Sequence, residues 1–523
     1  MYDAIVVGGG HNGLTSAAYL SRAGRRVLVL ESRPILGGMC TTEETVAEAP
    51  GFKMNPCAVD MALTNIPRSV VDELRLKDYG LRLLPPDPWA GFVNPDGASI
   101  ALWRDRSRTG AEIARFSRRD AEAFERLCKI MLDAWWTMTP YFQDHPTRPQ
   151  PKTIAEVLWR ALRGRRSLRP AARIILASPE QILNEWFERE EVKACLANLA
   201  AWSMLPLKES GSGGILAMMV TYFQWGVTRP VGGSGAFPAA LARFIEAHGG
   251  EVRTDARVRE ISVRDGVARG VVLENGEELL AEHVIGAVDP TMLMGRLVDQ
   301  QYVPYETQRE LDGLGNLRWN ISVIKGDVAL SRHPKLACGR EELWNGYLLL
   351  SPTMDYIYKA QLASMQGELP NEVPMAPMMP SFVDRSQVPA GSEGETLYVY
   401  LPSVPRDLSD GRDWADEKNK YMEHILDVFD GYAPGLKDSV IGSYVKSPKE
   451  LGQQAAGGNL IHADMTISQF GPWRPTPSLA GYRTPIKRLW HTAAGAHPMG
   501  ALNGWSGRTT ARVVDRQLGK NEK

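Results

Sequence analysis

Three glycines and one acid are the residues best placed to do chemistry in this chain. Gly8, Gly10 and Gly13 spell G-x-G-x-x-G, and Glu31 stands about twenty residues further on. Gly8 lets the chain turn sharply. Gly10 lets a pyrophosphate approach the backbone, and Gly13 lets a helix pack closely on a strand. His11 and Asn12 sit inside this phosphate loop, at a helix start whose unpaired N–H groups and dipole favour negative charge. Glu31 is positioned to accept a hydrogen bond from a ribose hydroxyl and would repel a 2′-phosphate, which disfavours NADP. The pattern predicts a dinucleotide site.

Three elements must position these residues. Asp3 to Val7 reads as a short β run, Asn12 to Ala23 as a helix of small and apolar residues, and Arg26 to Leu30 as a second β run. Ser32, Arg33, the doublet Gly37-Gly38 and Met39 follow. A plain NAD domain has no need of a second glycine turn there. This acid, basic residue and Gly-Gly order resembles the glutathione-reductase-like FAD superfamily, in its amine oxidase and phytoene desaturase branch. The resemblance implies an α/β fold: an FAD-binding Rossmann domain with an inserted α+β substrate domain. It also implies that residues 32–39 run beside the flavin nucleotide.

A further glycine loop begins after Pro230, with a helix over Phe237 to Ala247. β runs follow at Glu251 to Thr254, Val258 to Val263, Ala268 to Leu273 and Glu282 to Ala287, with a hairpin turn at Asn275-Gly276. By the same resemblance Val258 lies against the adenine, and the strand ending near Ala287 closes the sheet beside the pyrophosphate.

The C-terminal stretch reads as a strand over Leu489 to Thr492, a small-residue loop, and a helix over Gly507 to Leu518. With GN-x-x-H at 458–462 and RP-x-P at 474–477, it resembles phytoene desaturase and carotenoid ketolase relatives, within them the pyridine nucleotide-disulfide oxidoreductase domain-containing protein 2-like group. The family's HPGGG-type loop and SGRNAA run correspond to His497-Pro498-Met499-Gly500-Ala501 and Ser506 to Ala511. This implies that Met499, Gly500, Ala501 and Leu502 stand at the flavin. Met499 and Ala493 depart from glycine and are expected to narrow the space there. His497 is the candidate catalytic residue, with the alternative that it fixes its own turn. His491 reads as a packed core histidine, while His462 and Asp464 are candidates to meet substrate.

With 523 residues, two or more domains are expected. The resemblance divides them into a discontinuous FAD domain (1–70, 226–300 and 482–523) and a substrate domain (71–225 and 301–481). Hydrophobic residues make up 44% and charged residues 23%, and the net charge of −1 gives no electrostatic reason for a nucleic-acid partner. Five cysteines are scattered without metal or CxxC spacing, as expected of buried thiols in a reducing compartment. None lies in the closing loop, so the FAD is expected to be non-covalent. Neither a metal-ligand grouping nor a G-x-S-x-G nucleophile turn is present.

In the inserted parts, Asn94 to Gly97 reads as a hairpin turn, and helices are expected over Thr109 to Phe142, Thr153 to Leu176 and Asp413 to Phe429. Strands are expected over Asn316 to Val328 and Leu397 to Val404. The run from Thr153 to Leu176 sets six arginines (160, 163, 165, 166, 169 and 173) beside an apolar face that includes Ile154, Leu158 and Leu162. It reads as a solvated or partner-facing helix, or as a peripheral membrane contact. Trp202, Tyr222 and neighbouring aromatics are expected to be core, some lining an apolar substrate cavity. No signal peptide or membrane span is evident, and a cytoplasmic protein is expected.

These readings converge on an FAD-dependent oxidoreductase that desaturates a hydrophobic, isoprenoid-like small molecule. Two alternatives stand beside it. One is amine-oxidase-like oxidation of a C–N bond, for which Trp505 is the only aromatic residue of the closing loop. The other is a non-catalytic escort protein that has lost its flavin, against which the intact glycines argue.

Overall fold

Apolar runs too short to be helices and buried on both faces make the central sheet. Tyr2–Val7, Val27–Leu30 and Glu278–Gly286 bury nearly every residue at their hydrogen-bonded ends, as parallel strands covered by helices must. In the computed structural model, which describes residues 1–66, 69–314, 319–455 and 462–521, five strands run parallel in the order Glu251–Arg253, Val27–Leu30, Tyr2–Val7, Glu278–Gly286 and Leu489–His491. Ala4 faces Val27 on one side and His283 on the other. The first part of Glu278–Gly286 also pairs antiparallel with Val267–Leu273, which pairs in turn with Val258–Arg264. The sheet thus gathers segments from the two ends and the middle of the chain.

Helix His11–Arg22 packs between helices Ala236–Ala247 and Trp505–Asn521. Small residues set how closely they cross. Ser16 Oγ donates to Gly507 O at 2.9 Å, and a Cβ on Gly507 would lie 2.2 Å from Asn12 O. A Cβ on Gly13 would lie 2.3 Å from Gly8 O and 2.8 Å from Ala287 Cβ.

The inserted parts build three smaller sheets. One antiparallel sheet has the order Glu395–Pro405, Ile321–Leu330, Val440–Lys446. A second joins Tyr347–Leu349, Ala90–Val93 and Ser99–Leu102, and contains the hairpin expected at Asn94 to Gly97. The third joins Met61–Ala62, Val227–Pro230 and Leu83–Leu84 across the point where the chain leaves the central sheet and re-enters it. Leu83–Leu84, expected in the inserted part, therefore pairs with a strand expected in the dinucleotide part. The strand expected from Asn316 begins at Ile321, and Asn316 itself lies outside the described residues. Among the described residues no helix is long and apolar enough to cross a membrane.

Two expected helices are broken. The run from Thr109 divides into Arg106–Ala114 and Arg118–Phe142, because Ser117 caps the second by accepting from Asp120 N. The run from Thr153 divides into Pro151–Arg163 and Arg165–Leu176 at Gly164, whose N–H still donates to Arg160 O at 2.8 Å.

The tight crossing at Gly13 is testable. Gly13→Val is expected to destabilise the protein by about 3 kcal/mol, since backbone lies where the side chain must go. Denaturant unfolding checks this, and an unchanged midpoint would show that the crossing is looser than described.

Candidate functional site

The two glycine turns dock on each other. Gly37 N donates to Gly9 O at 2.9 Å, and Gly10 pairs with Gly37 as a parallel bridge. Glu31 holds the first turn: its Oε2 accepts from Gly9 N at 2.8 Å and its Oε1 from Arg33 N at 2.9 Å. Arg33 spans to the second turn, donating to Gly38 O at 3.3 Å while pairing with Glu43 at 3.1 Å.

These turns open into a cavity of about 750 Å³. Gly8, Gly10, His11, Asn12, Glu31, Ser32, Arg33, Gly37, Gly38 and Met39 line it from the N-terminal segment. Val258 and Ala287 line it from the returning strands, and Gly500, Ala501 and Leu502 from the closing loop. Gly13 does not line it; its place is the helix crossing described above.

Two residues expected at the flavin do not line this cavity. His497 is buried off the cavity wall, with Nε2 at 3.3 Å from Tyr141 O and its ring edge-on to Tyr141. Met499 is packed into the core beside it. The turn directs both inward, so His497 ties helix Arg118–Phe142 to the closing loop and Met499 does not narrow the cavity. Ala493 does line the cavity, and it and Ala501 hold backbone angles of φ 151° and 145°, where glycine is favoured.

His491 is a fully buried core residue, its Nε2 3.2 Å from Val288 O. His462 lines the cavity and Asp464 does not. The Gly458-Asn459 part of their motif lies outside the described residues. Trp505 is fully buried and away from the wall.

The aromatic wall comes from Trp202 and Tyr222, in line with the expectation for that stretch, and from Tyr347, Tyr398, Tyr400 and Tyr444. Trp202 meets Tyr347 edge-on at 4.6 Å, and Tyr398 stacks on Tyr400. Tyr398 and Tyr400 share a strand face at i and i+2, a period visible in the sequence of Glu395–Pro405. Nothing in the sequence alone brought that face to the glycine loops. Burial pushes the phenols of all five tyrosines up, so their phenols stay uncharged.

Three carboxylates line the cavity, and each is already engaged. Glu31 holds the glycine turn. Asp60 pairs with the fully buried Arg229 through two contacts, at 2.7 and 3.2 Å. Glu450 accepts from Ser447 in a capping box and from Lys418 at 2.6 Å.

The sequence pattern of the family described as flavin containing amine oxidoreductase matches residues 13–346. The chain belongs to that family. It is a flavin-dependent oxidoreductase by membership. It is 30% identical to pyridine nucleotide-disulfide oxidoreductase domain-containing protein 2 of Rattus norvegicus, over 99% of this chain and 94% of that one. It is 26% identical to a limonene dehydrogenase subunit of Castellaniella defragrans, over 99% and 95%. Among solved structures, an oxidoreductase from Methanosarcina mazei shares the fold with a TM-score of 0.64 at 16% identity, covering 98% of this chain and 99% of that one.

The residues present fit the family's flavin in its dinucleotide form, FAD. A Cβ on Gly10 would meet nothing within 4 Å, so the cradle is open where a pyrophosphate must approach. Helix His11–Arg22 starts there with no side-chain cap and no acid in its first turn, and His11 Nε2 is shut from solvent without a protein partner.

Gly10→Val is expected to leave the stability of the flavin-free protein within about 0.5 kcal/mol, because the added atoms enter open space. It is expected to abolish flavin retention, read as the flavin-to-protein absorbance ratio after purification. Wild-type flavin content in this variant would move the phosphate site away from Gly10.

The buried histidines give a pH expectation. Burial lowers His11 and His283 to about 4 and His491 and His497 to about 3, from an ordinary 6.5. They remain neutral in the fold while the unfolded chain binds protons below about pH 6.5, so stability is full above that pH and falls as the solution is acidified. Each adds a slope of up to about 1.4 kcal/mol per pH unit. Thermal midpoints are expected to drop between about pH 6.5 and 5, before most carboxylates titrate. Exchanging His491 for Gln is expected to shallow that drop, and a flat profile for the wild type would refute it.

Proposed function

We propose that this enzyme dehydrogenates a hydrophobic, isoprenoid-like molecule, introducing a carbon–carbon double bond. The observation that carries the reading is the cavity wall: aromatic and aliphatic side chains reach into it, while every lining carboxylate is engaged within the protein. A cationic substrate held by charge pairing needs a free anion, and an apolar one does not. Similarity to a limonene dehydrogenase subunit, named for a terpene hydrocarbon, supports the same class.

Bound FAD supplies the two-electron acceptor for this chemistry. The chain's own part is binding, orientation and exclusion of water. Gly8, Gly10, Asn12 and the helix start would hold the phosphates, and residues 31–39 the adjoining nucleotide. Ile215, Leu502 and Met465 would enclose the substrate with Trp202, Tyr347 and Tyr400. His462, whose protonation burial disfavours, would stand on this wall as a neutral polar contact for the bound substrate or flavin.

Attachment of the flavin is proposed to be non-covalent. Burial pushes the two lining thiols up, Cys57 to about 12, so neither is a thiolate, and Cys40 Sγ donates to Ser234 O at 3.0 Å. Acid precipitation is expected to release all yellow colour into the supernatant. Colour that stays with the pellet would establish a covalent link.

Amine oxidation is the second reading, favoured by the Trp202–Tyr347 edge contact and the Tyr398–Tyr400 stack beside the cavity. Anaerobic flavin bleaching separates the two. Terpenoid alkenes are expected to bleach the flavin and primary or polyamines to leave it oxidised. Bleaching by amines alone would replace the first reading with the second.

A further inference from the structure

Helices Pro151–Arg163 and Arg165–Leu176 turn apolar side chains to solvent. Along the first, Ile154, Leu158 and Leu162 recur at every fourth residue, so they form one stripe, and Leu158 and Leu162 are 60% and 73% exposed. Only Thr153 of that helix is buried. Trp159 is also exposed, and Leu176 at the end of the second helix is 61% exposed. Isolated exposed leucines need no explanation, but a stripe of them with a tryptophan beside it does.

Charge is concentrated on the same pair. Residues 151–176 carry seven basic side chains against one acidic one, Glu156, in a chain whose net charge is −1. Arg160 pairs with Glu156 and Arg173 with Glu185. Arg165, Arg166 and Arg169 have no acidic partner among the described residues. Arg160 and Arg163 lie over the rings of Trp136 and Trp159, at 4.6 and 4.0 Å, so guanidinium and indole share one surface.

We propose that this helix pair docks on an anionic lipid surface, with the 154–158–162 stripe and Trp159 in the interface and the arginines on the headgroups. An amphipathic helix with basic flanks and an interfacial tryptophan has the composition for that plane. The surface adjoins the cavity. Gly213 N donates to Ala177 O at 3.0 Å, which fixes the second helix to helix Gly214–Trp225, whose Ile215 and Tyr222 line the cavity. The exposed Ile467 is held near Leu176, because Gly211 N donates to Leu176 O and Ile467 N to Gly211 O. Met465, two residues before Ile467, is on the cavity wall. The proposal is independent of which substrate the enzyme oxidises, since its readout is binding and not turnover.

Flotation of the flavin-loaded protein with phosphatidylcholine vesicles, with and without phosphatidylglycerol, tests it. Wild-type protein is expected to float with the anionic vesicles, and less so as salt is raised. Leu158→Asp/Leu162→Asp is expected to weaken flotation at least about tenfold. Arg165→Glu/Arg166→Glu/Arg169→Glu removes the charge half of the surface independently and is expected to do the same. All five positions are exposed, so circular dichroism and the flavin spectrum are expected to match wild type. Failure of the wild type to float, or flotation of both variants at the wild-type level, overturns the proposal. So does a lipid-free dimer that the leucine variant dissociates, which would assign the face to a second copy.

Discussion

The fold around the cavity depends on one carboxylate closing the loop that precedes its own strand end. Glu31 leaves strand Val27–Leu30 and accepts the N–H of Gly9, so the phosphate loop and the second strand are fixed to each other. The fit leaves no room for variation. A Cβ at Gly9 would lie 2.9 Å from Glu31 Cβ and 3.1 Å from its Oε2. Arg33 then extends the same hold to Gly38, and Ala256 N donates to Glu31 O at 2.9 Å, which brings in the segment before Val258. One side chain and its backbone thus tie together three chain segments. The acid that the sequence suggests for a ribose is in the structure also the clasp of the glycine turns.

The reach of sequence reasoning follows from where each signal is stored. Strands, helix and glycine turns over residues 2–38 are local patterns, each written in the residue types of its own segment even where its partners come from the middle and end of the chain. The returning strands and the closing strand Leu489–His491 were legible for the same reason, through short apolar runs and turn residues. What failed was the direction of side chains in an irregular loop. Around His497 and Met499 there is no helical or β period to say which side faces the cavity, and both turn into the core. The aromatic wall was half legible: Trp202 and Tyr222 line the cavity as their stretch suggested, and the strand tyrosines were not foreseen. Tyr347, Tyr398 and Tyr400 come from two separate sheets, and only the tertiary packing of those sheets brings them to Trp202.

Two buried ion pairs flank that wall. Asp60 and Arg229 join the chain where it leaves the central sheet to the strand on which it returns, with Arg229 also donating to Asn345 O at 3.3 Å. Lys325 and Asp327, on the central strand of the antiparallel sheet, pair with each other; Thr45 Oγ1 donates to Asp327 at 2.9 Å. Lys325 also lies over the Tyr398 ring at 4.0 Å. Buried pairs of this kind are poor sources of net stability, because desolvation offsets much of their attraction. Their effect here is geometric. Asp60–Arg229 joins segments distant in sequence, Asp327 is reached from afar by Thr45, and each pair is internally neutral.

That neutrality connects the architecture to the chemistry. The carboxylates at the cavity are engaged by partners the protein supplies, and burial keeps the phenols and thiols uncharged. Engaged carboxylates and a mostly aromatic and aliphatic wall are what the proposed hydrocarbon substrate would need, since its transfer from water is driven by buried area. Hydrocarbons of that kind partition into bilayers before they meet any protein. The exposed apolar stripe flanked by arginines is fixed through Ala177 and Gly213 to a helix that lines the same cavity, so the proposed lipid surface and the proposed substrate would meet at one place on the protein.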